Sequence, residues 1–353
     1  MKPAPPIRHS TSFLSESWTA YVHHFIQEDG RVIDHKGGGH STSEGQTYAM
    51  LRAVWMRDRK TFDRTYQWSQ GNLRGSTRQD KLLAWKWGHK EDNTWGILDK
   101  NAASDADVLL AYALLLAAQR FQEPRYHTEA LEVLADVWAH DTAEVAGRRY
   151  LLAGDWRPID GPLPLNPSYL MPFALRAFSQ ADPQHNWNEV LETSYLVLET
   201  CRSKVGLPTD WCWLESTGRL WVQTDPAQKF SDFGFEAFRV YWNLAASALW
   251  DDDRRARTLL TKMGWLGDWW RIRRELPAVI TVSGVPRETW RSLGMYGAFY
   301  PALSLEDSTQ ANLLFQKGIA PTYKEGRWGE PNDYYVQNWV WFGLALQSEI
   351  PRP

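Results

Sequence analysis

Residues 104–140, SDADVLLAYALLLAAQRFQEPRYHTEALEVLADVWAH, read as two helices, 104–121 and 125–140, joined by only three residues. Apolar residues recur at helical spacing on both sides of Gln122-Glu123-Pro124, and so short a join forces the helices to lie antiparallel. The first of the pair carries the apolar stretch Val108 to Ala118. A long connection, 141–167, follows before the next helix. The unit is therefore an inner helix, a tight turn, an outer helix and a long loop.

Working outward, the same unit recurs. Helical periodicity with Ser, Asp or Asn at the starts and Gly or Pro at the stops predicts twelve helices, near 12–26, 44–57, 60–73, 104–121, 125–140, 168–180, 186–203, 231–250, 252–268, 287–300, 306–317 and 333–348. From the second helix onward short joins alternate with long loops at 74–103, 141–167, 204–230, 269–286 and 318–332. Strand alternation is scarce, with Val279 to Val282 the clearest piece. If the pairs repeat about an axis, the even-numbered helices run one way and every long loop falls at one end. The prediction is an all-α (α/α)₆ barrel, six inner and six outer helices, formed by residues 1–353 as one catalytic domain. An α-solenoid is the alternative, but no motif repeats at a fixed period.

Composition narrows the functions such a barrel can have. The 353 residues carry 39 Lys plus Arg against 42 Asp plus Glu, a formal net charge of −3, so no broad cationic field favours nucleic acid or anionic membrane. No apolar run reaches the roughly 18–20 residues of a membrane span, and Lys2-Pro3-Ala4-Pro5-Pro6 is not followed by the apolar core of a signal peptide. Cys201 and Cys212 lie outside metal or disulfide-framework spacing. The nine histidines form no HxxEH or HxH pattern, and no GxSxG elbow is present, so neither a metal centre nor acyl transfer is expected, and no cofactor.

The inner helices should begin at the long-loop end, where their free N–H groups and positive dipole ends face a cleft. Carboxylates stand at those starts. Glu44 opens the second helix after Lys36-Gly37-Gly38-Gly39-His40, a glycine run that allows close approach, although Ser/Thr then Glu is also a capping pattern. Asp105 and Asp107 open the fourth, where one can cap while the other is solvated. Asp232, Glu236 and Arg239 lie at the eighth, with Asp232 readable as a cap and Glu236 paired to Arg239 one turn on. Asn166 and Tyr169 stand at the sixth helix and Tyr334 and Tyr335 at the twelfth. Of the 21 tryptophans, ten fall in the five long loops: Trp85, Trp87, Trp95, Trp156, Trp211, Trp213, Trp221, Trp269, Trp270 and Trp328. Flat apolar faces beside carboxylates suit a polymer of hydroxylated rings. Splitting an acetal needs one protonated carboxyl for the leaving oxygen and one carboxylate for water or nucleophilic attack.

At these residues the sequence resembles glycoside hydrolase family 8, the bacterial cellulase family that includes cellulose-synthesis-associated endoglucanases. ASDADVLLAYALLLAAQRF, Ala103 to Phe121, follows the family signature with Leu110 as a mild departure. SEGQTYAM, Ser43 to Met50, is similar to the family's SEGQGYGM, and LNPSYL (165–170), LPTDW (207–211), FRVYW (238–242) and YYVQNWVWFG (334–343) extend the likeness over most of the chain. The resemblance implies an (α/α)₆ barrel that hydrolyses cellulose or a related β-glucan as an inverting endo-β-1,4-glucanase. It implies Glu44 as general acid and Asp105 as the residue holding the sugar ring. It also implies export, secreted or periplasmic. Trp95, Tyr169, Arg239, Tyr334 and Tyr335 are the expected sugar contacts, and a monomer without nucleic-acid or membrane partners is expected.

One position departs. Where the main branch of the family has an Asp base three residues before the Arg, this chain has Glu236 before Arg239. Glu236 can serve as the base, Asp232 or Asp210 can take the role, or hydrolysis is impaired and the cleft mainly binds glycan. Xylan, mixed-linkage glucan and chitosan remain alternative substrates. A sugar isomerase or epimerase on a similar barrel is the weakest reading, because most histidines (His9, His23, His24, His35, His40) lie near the N-terminus rather than paired in a cleft.

Overall fold

The computed structural model describes residues 11–348 except Ser76 and Pro226; the start of the chain, on which the signal-peptide reading rests, lies outside the described residues. Thirteen α-helices are present among them: α1 (Thr11–Phe25), α2 (Ser43–Trp55), α3 (Arg59–Ser69), α4 (Ser104–Arg120), α5 (Pro124–Asp136), α6 (Pro172–Ala181), α7 (Trp187–Thr200), α8 (Arg239–Trp250), α9 (Arg254–Lys262), α10 (Trp265–Arg273), α11 (Leu293–Glu306), α12 (Ser308–Leu314) and α13 (Tyr334–Leu346). Contacts between successive inner helices run α2, α4, α6, α8, α11, α13 and back to α2, which closes the ring. Each is backed by an outer partner, respectively α3, α5, α7, α9, α12 and α1. The (α/α)₆ barrel is thus the observed architecture.

Most helices of the inner ring are buried on nearly every side, while α6 keeps Arg176, Ser179 and Gln180 toward solvent. Every residue of α4 from Ser104 to Ala117 is buried, as is every residue of α11 from Leu293 to Leu303. Outer helices are polar on one side, and α9 buries only Ala256 and Leu259. Aromatic rings fill the barrel: Trp55 stacks on Trp341 with centroids 5.9 Å apart, and Trp242 meets Trp250 and Trp339 edge-on at 5.9 and 6.0 Å. Edge-on and offset contacts are the favoured aromatic geometries. Gly297 of α11 faces Gly343 of α13, and a Cβ on either would overlap the other helix's backbone, so these two positions set how closely that pair packs.

Four expectations are corrected. The helix expected at 252–268 breaks at Met263-Gly264, and a separate α10 carries Trp269 and Trp270 out of the loop set. The eighth helix starts at Arg239, not 231, because residues 231–238 make their hydrogen bonds elsewhere: Phe233 exchanges backbone bonds with Ile280, and the Asp210 carboxylate takes the N–H groups of Gly234, Glu236 and Ala237. The helix expected at 287–300 begins at Leu293, since Pro286–Glu288 pairs as a strand with Val279–Ile280. Finally, the sixth helix begins at Pro172 after a single 3₁₀ turn, Pro167–Tyr169.

The 74–103 connection contains a hairpin that periodicity did not reveal. Strands β2 (Ala84–His89) and β3 (Trp95–Ala102) pair with each other, and β2 pairs with β1 (Ser41–Thr42). This sheet leads directly into the first turns of α2 and α4, so it fixes Glu44 and Asp105 relative to one another.

Candidate active site

Glu44 and Asp105 project from the first turns of α2 and α4, Arg239 from the start of α8, and Tyr334 and Tyr335 from the start of α13. Four chain segments far apart in sequence meet here because every inner helix begins at this end. The Thr42 side chain caps α2 by accepting from the Gly45 N–H (3.0 Å), so Glu44 is free of capping. The cap of α4 is Ala103, which offers no side-chain bond. Neither Asp105 nor Asp107 is a capping residue. Asp107 is fully buried and accepts from the Leu83 N–H at 2.9 Å, a structural anchor for the start of the hairpin.

The buried Arg239 guanidinium is the hub. Its Nη1 donates to Glu44 Oε2 at 2.9 Å, to Asp105 Oδ2 at 2.9 Å and to the Tyr48 hydroxyl at 3.3 Å, while its Nη2 bonds Glu236 Oε2. Glu236 Oε2 also receives the Asn166 side-chain amide (2.9 Å) and, at 3.5 Å, the Ser168 hydroxyl. The Tyr334 hydroxyl donates to Glu44 Oε1 at 3.0 Å, and the Tyr335 hydroxyl donates to the Phe235 carbonyl at 2.7 Å. Tyr169 lies under Arg239, its ring centroid 5.3 Å from the guanidinium carbon.

Three carboxyls around one cation cannot all hold their charge cheaply in a buried site. Burial pushes the Glu44 carboxyl up to about 7 against the pull of Arg239, and Asp105 adds to the rise. Burial likewise raises Asp105 above the usual carboxylate range, with Arg239 opposing. Burial opposes the charge of Arg239 too, but Tyr335, Tyr48, Asp105 and Glu44 around it hold it protonated. The site thus supplies a carboxyl poised near neutrality and a second, Glu236, bonded at the opposite nitrogen of the same guanidinium.

The two other acids considered as base have different surroundings. Asp232 is 1% exposed and ion-paired to Arg287 at 2.6 Å; it does not cap a helix. Asp210 Oδ1 takes three backbone N–H groups, at 3.0, 3.1 and 2.7 Å, and thereby shapes the segment presenting Glu236.

Aromatic rings border the site unevenly. Trp95, 53% exposed on β3, stacks on Trp87 (5.2 Å, 23°), and Arg31 lies over both rings. Phe235 and Trp290, both exposed, stack at 5.6 Å beside Glu236. Of the loop tryptophans expected at the cleft, Trp270 and Trp328 are instead fully buried in the core. Asn166, Ser168 and Tyr48 belong to motifs already quoted, whereas Trp290 and Arg31 carry no periodic or motif signal. Among the described residues no His, Cys, Asp or Glu group is suited to hold a metal ion, and no helix is long and apolar enough to cross a membrane.

Two carboxyls beside aromatic rings at the mouth of a closed helical barrel match the pair that acid–base glycoside hydrolysis uses. The comparisons name the family. The profile described as "Glycosyl hydrolases family 8" matches residues 7–278, and the chain belongs to that family. It is 38% identical over 241 residues to an endoglucanase of Pseudomonas fluorescens (strain SBW25), covering 64% of this chain and 58% of that protein. A Salmonella typhi endoglucanase is 33% identical over 257 residues, covering 70% and 65% respectively. The matches thus span less than two thirds of those relatives' own length. The solved endo-1,4-D-glucanase from Vibrio fischeri ES114 superposes with a TM-score of 0.82 at 29% identity, covering 93% of each chain.

Proposed function

We propose that this protein is an inverting endo-β-1,4-glucanase acting on cellulose or a related β-glucan, with Glu44 as general acid, Glu236 as base and Asp105 holding the sugar ring. The observation that carries the reading is the Arg239 hub, which holds Glu44 and Glu236 on opposite guanidinium nitrogens while Glu44 sits at about 7. An acid with that value is substantially protonated at neutral pH. Inversion requires that a water stand between the base and the anomeric carbon. All the bonds to Glu236 named above reach Oε2, which leaves Oε1 for that water. Asp232 is committed to Arg287 and Asp210 to the backbone, so Glu236 is the acid best placed to act. Trp95, Tyr169, Arg239, Tyr334 and Tyr335 are the sugar contacts of this reading, and export of the enzyme to where its polymer lies completes it. The names of the relatives, endoglucanase and endo-1,4-D-glucanase, carry the same reaction.

A panel of cellulose, mixed-linkage glucan, xylan and chitosan, with the anomer of the fresh product followed by NMR, tests substrate and stereochemistry together. Release from β-1,4-glucan with the anomeric configuration inverted is expected; retention of configuration would remove the water-activating role from Glu236. In the same assay Glu236→Gln should lose about 10²–10⁴-fold in kcat, the usual worth of a positioned base, with KM little changed. Cello-oligosaccharide binding without reducing-sugar release by the unmodified protein would leave only a glycan-binding cleft.

A further inference from the structure

A second cavity opens at the barrel end opposite the carboxylates. Its volume is about 440 Å³, and it lies between the C-terminal half of α4, the start of α5, one side of α6 and the end of α8. Leu116, on its wall, stands eleven residues beyond Asp105 along α4, roughly 16 Å of helical rise, so the two sites are distinct. The Tyr112 side chain lines the cavity, and its buried hydroxyl has no hydrogen-bond partner. A buried hydroxyl left without a partner is unfavourable, and a polar ligand or water that reached it would relieve that cost.

The lining specifies what kind of ligand. Trp250, half-buried, and Phe173 supply apolar rings. Gln119 and Gln180 offer amide donors and acceptors at the rim. The single guanidinium, Arg176, is paired with Asp251 at 3.3 Å and with Asp253, and His127 of α5 adds an imidazole to the wall, so no permanently charged cation is left unpaired to select phosphate or carboxylate. Aromatic faces with mixed donors and acceptors and no unpaired permanent cation fit a neutral hydroxylated ring. The volume lies within the range of about 300–1,000 Å³ usual for small-molecule sites. We propose that this cavity is a second carbohydrate site that takes one or two pyranose units of the β-glucan or its soluble products. The choice of β-glucoside as the sugar rests on the proposed glucanase function; the preference for a neutral hydroxylated ring rests on the cavity alone.

Calorimetric titration of the Glu44→Gln protein with cellobiose tests this. Two classes of site are expected. Adding Ala177→Trp, which fills the cavity from α6, should remove one class and leave the other. Adding Tyr112→Phe, which keeps the packing, should weaken that same class about tenfold. Titrations that are identical across the three proteins, with their circular dichroism unchanged, would overturn the proposal. Carboxymethylcellulose hydrolysis by the unmodified protein separates the two readings. Hydrolysis with a single saccharide site sinks the cavity alone, whereas a cavity-dependent second site in a protein that releases no sugar sinks the glucanase alone.

Discussion

Glu44→Gln is expected to abolish reducing-sugar release from carboxymethylcellulose while leaving the barrel folded and cello-oligosaccharide binding intact. The substitution keeps shape and removes the one proton the leaving oxygen needs. A positioned general acid is worth about 10²–10⁴-fold, and Glu44 is the carboxyl of this hub that burial lifts to about 7, where it can hold the proton the leaving oxygen takes. The same carboxyl sets a pH limb. Glu44 must be protonated to act, so kcat/KM of the unmodified enzyme should fall as pH rises through about 7, the value to which burial lifts the group. The variant should show no such limb in whatever residual rate it has. Ordinary turnover by Glu44→Gln would take this residue out of the mechanism, whatever the geometry.

Much of this was readable in advance, and what was not has a definite cause. The barrel follows from the alternation of short joins and long loops, a pattern local to the chain. Glu44 and Asp105 were recognisable because each opens an inner helix whose apolar run announces it. Glu236 was placed in a helix starting near 231, yet the helix starts at Arg239. Ser231 to Phe238 has helical composition, but its N–H groups go to Asp210, more than twenty residues earlier, and Phe233 pairs with Ile280, far ahead. Periodicity cannot register partners at such distances. The tryptophans teach the same lesson. Loop position suggests ten rings at the cleft, but Trp328 is fully buried against Phe13 and Tyr323, and Trp270 sits on the buried side of α10, an element the Met263-Gly264 break conceals. The ring that stacks on Phe235 beside Glu236 is Trp290, which no sequence motif marks. The Arg239 hub, too, was visible only as an (i, i+3) pair. Its two longer partners, Glu44 and Asp105, are 195 and 134 residues away.

That hub makes Arg239→Met the substitution with the largest expected effect on the fold. The side chain is 2% exposed and compensates Glu44, Asp105 and Glu236 together. Methionine keeps much of the volume but leaves the carboxyls facing one another. Breaking a buried ion pair from one side costs about 3–5 kcal/mol, because the remaining charge is left desolvated; Glu44 and Glu236 retain some solvent contact, so Asp105 bears most of the strain. Burial already raises Glu44 and Asp105 in the native state, and Arg239 is what limits the rise. Without it both carboxyls should take up protons at still higher pH in the folded protein than in the unfolded chain. A folded state that binds more protons loses stability as pH increases. The deficit of the variant relative to the unmodified protein should therefore be smallest near about pH 5, where protonation removes the repulsion, and widen toward about pH 8. Urea unfolding across that range measures it. A deficit independent of pH would mean that Arg239 stabilises the barrel by packing against Tyr169 and Tyr48, and not by holding three acids at one point.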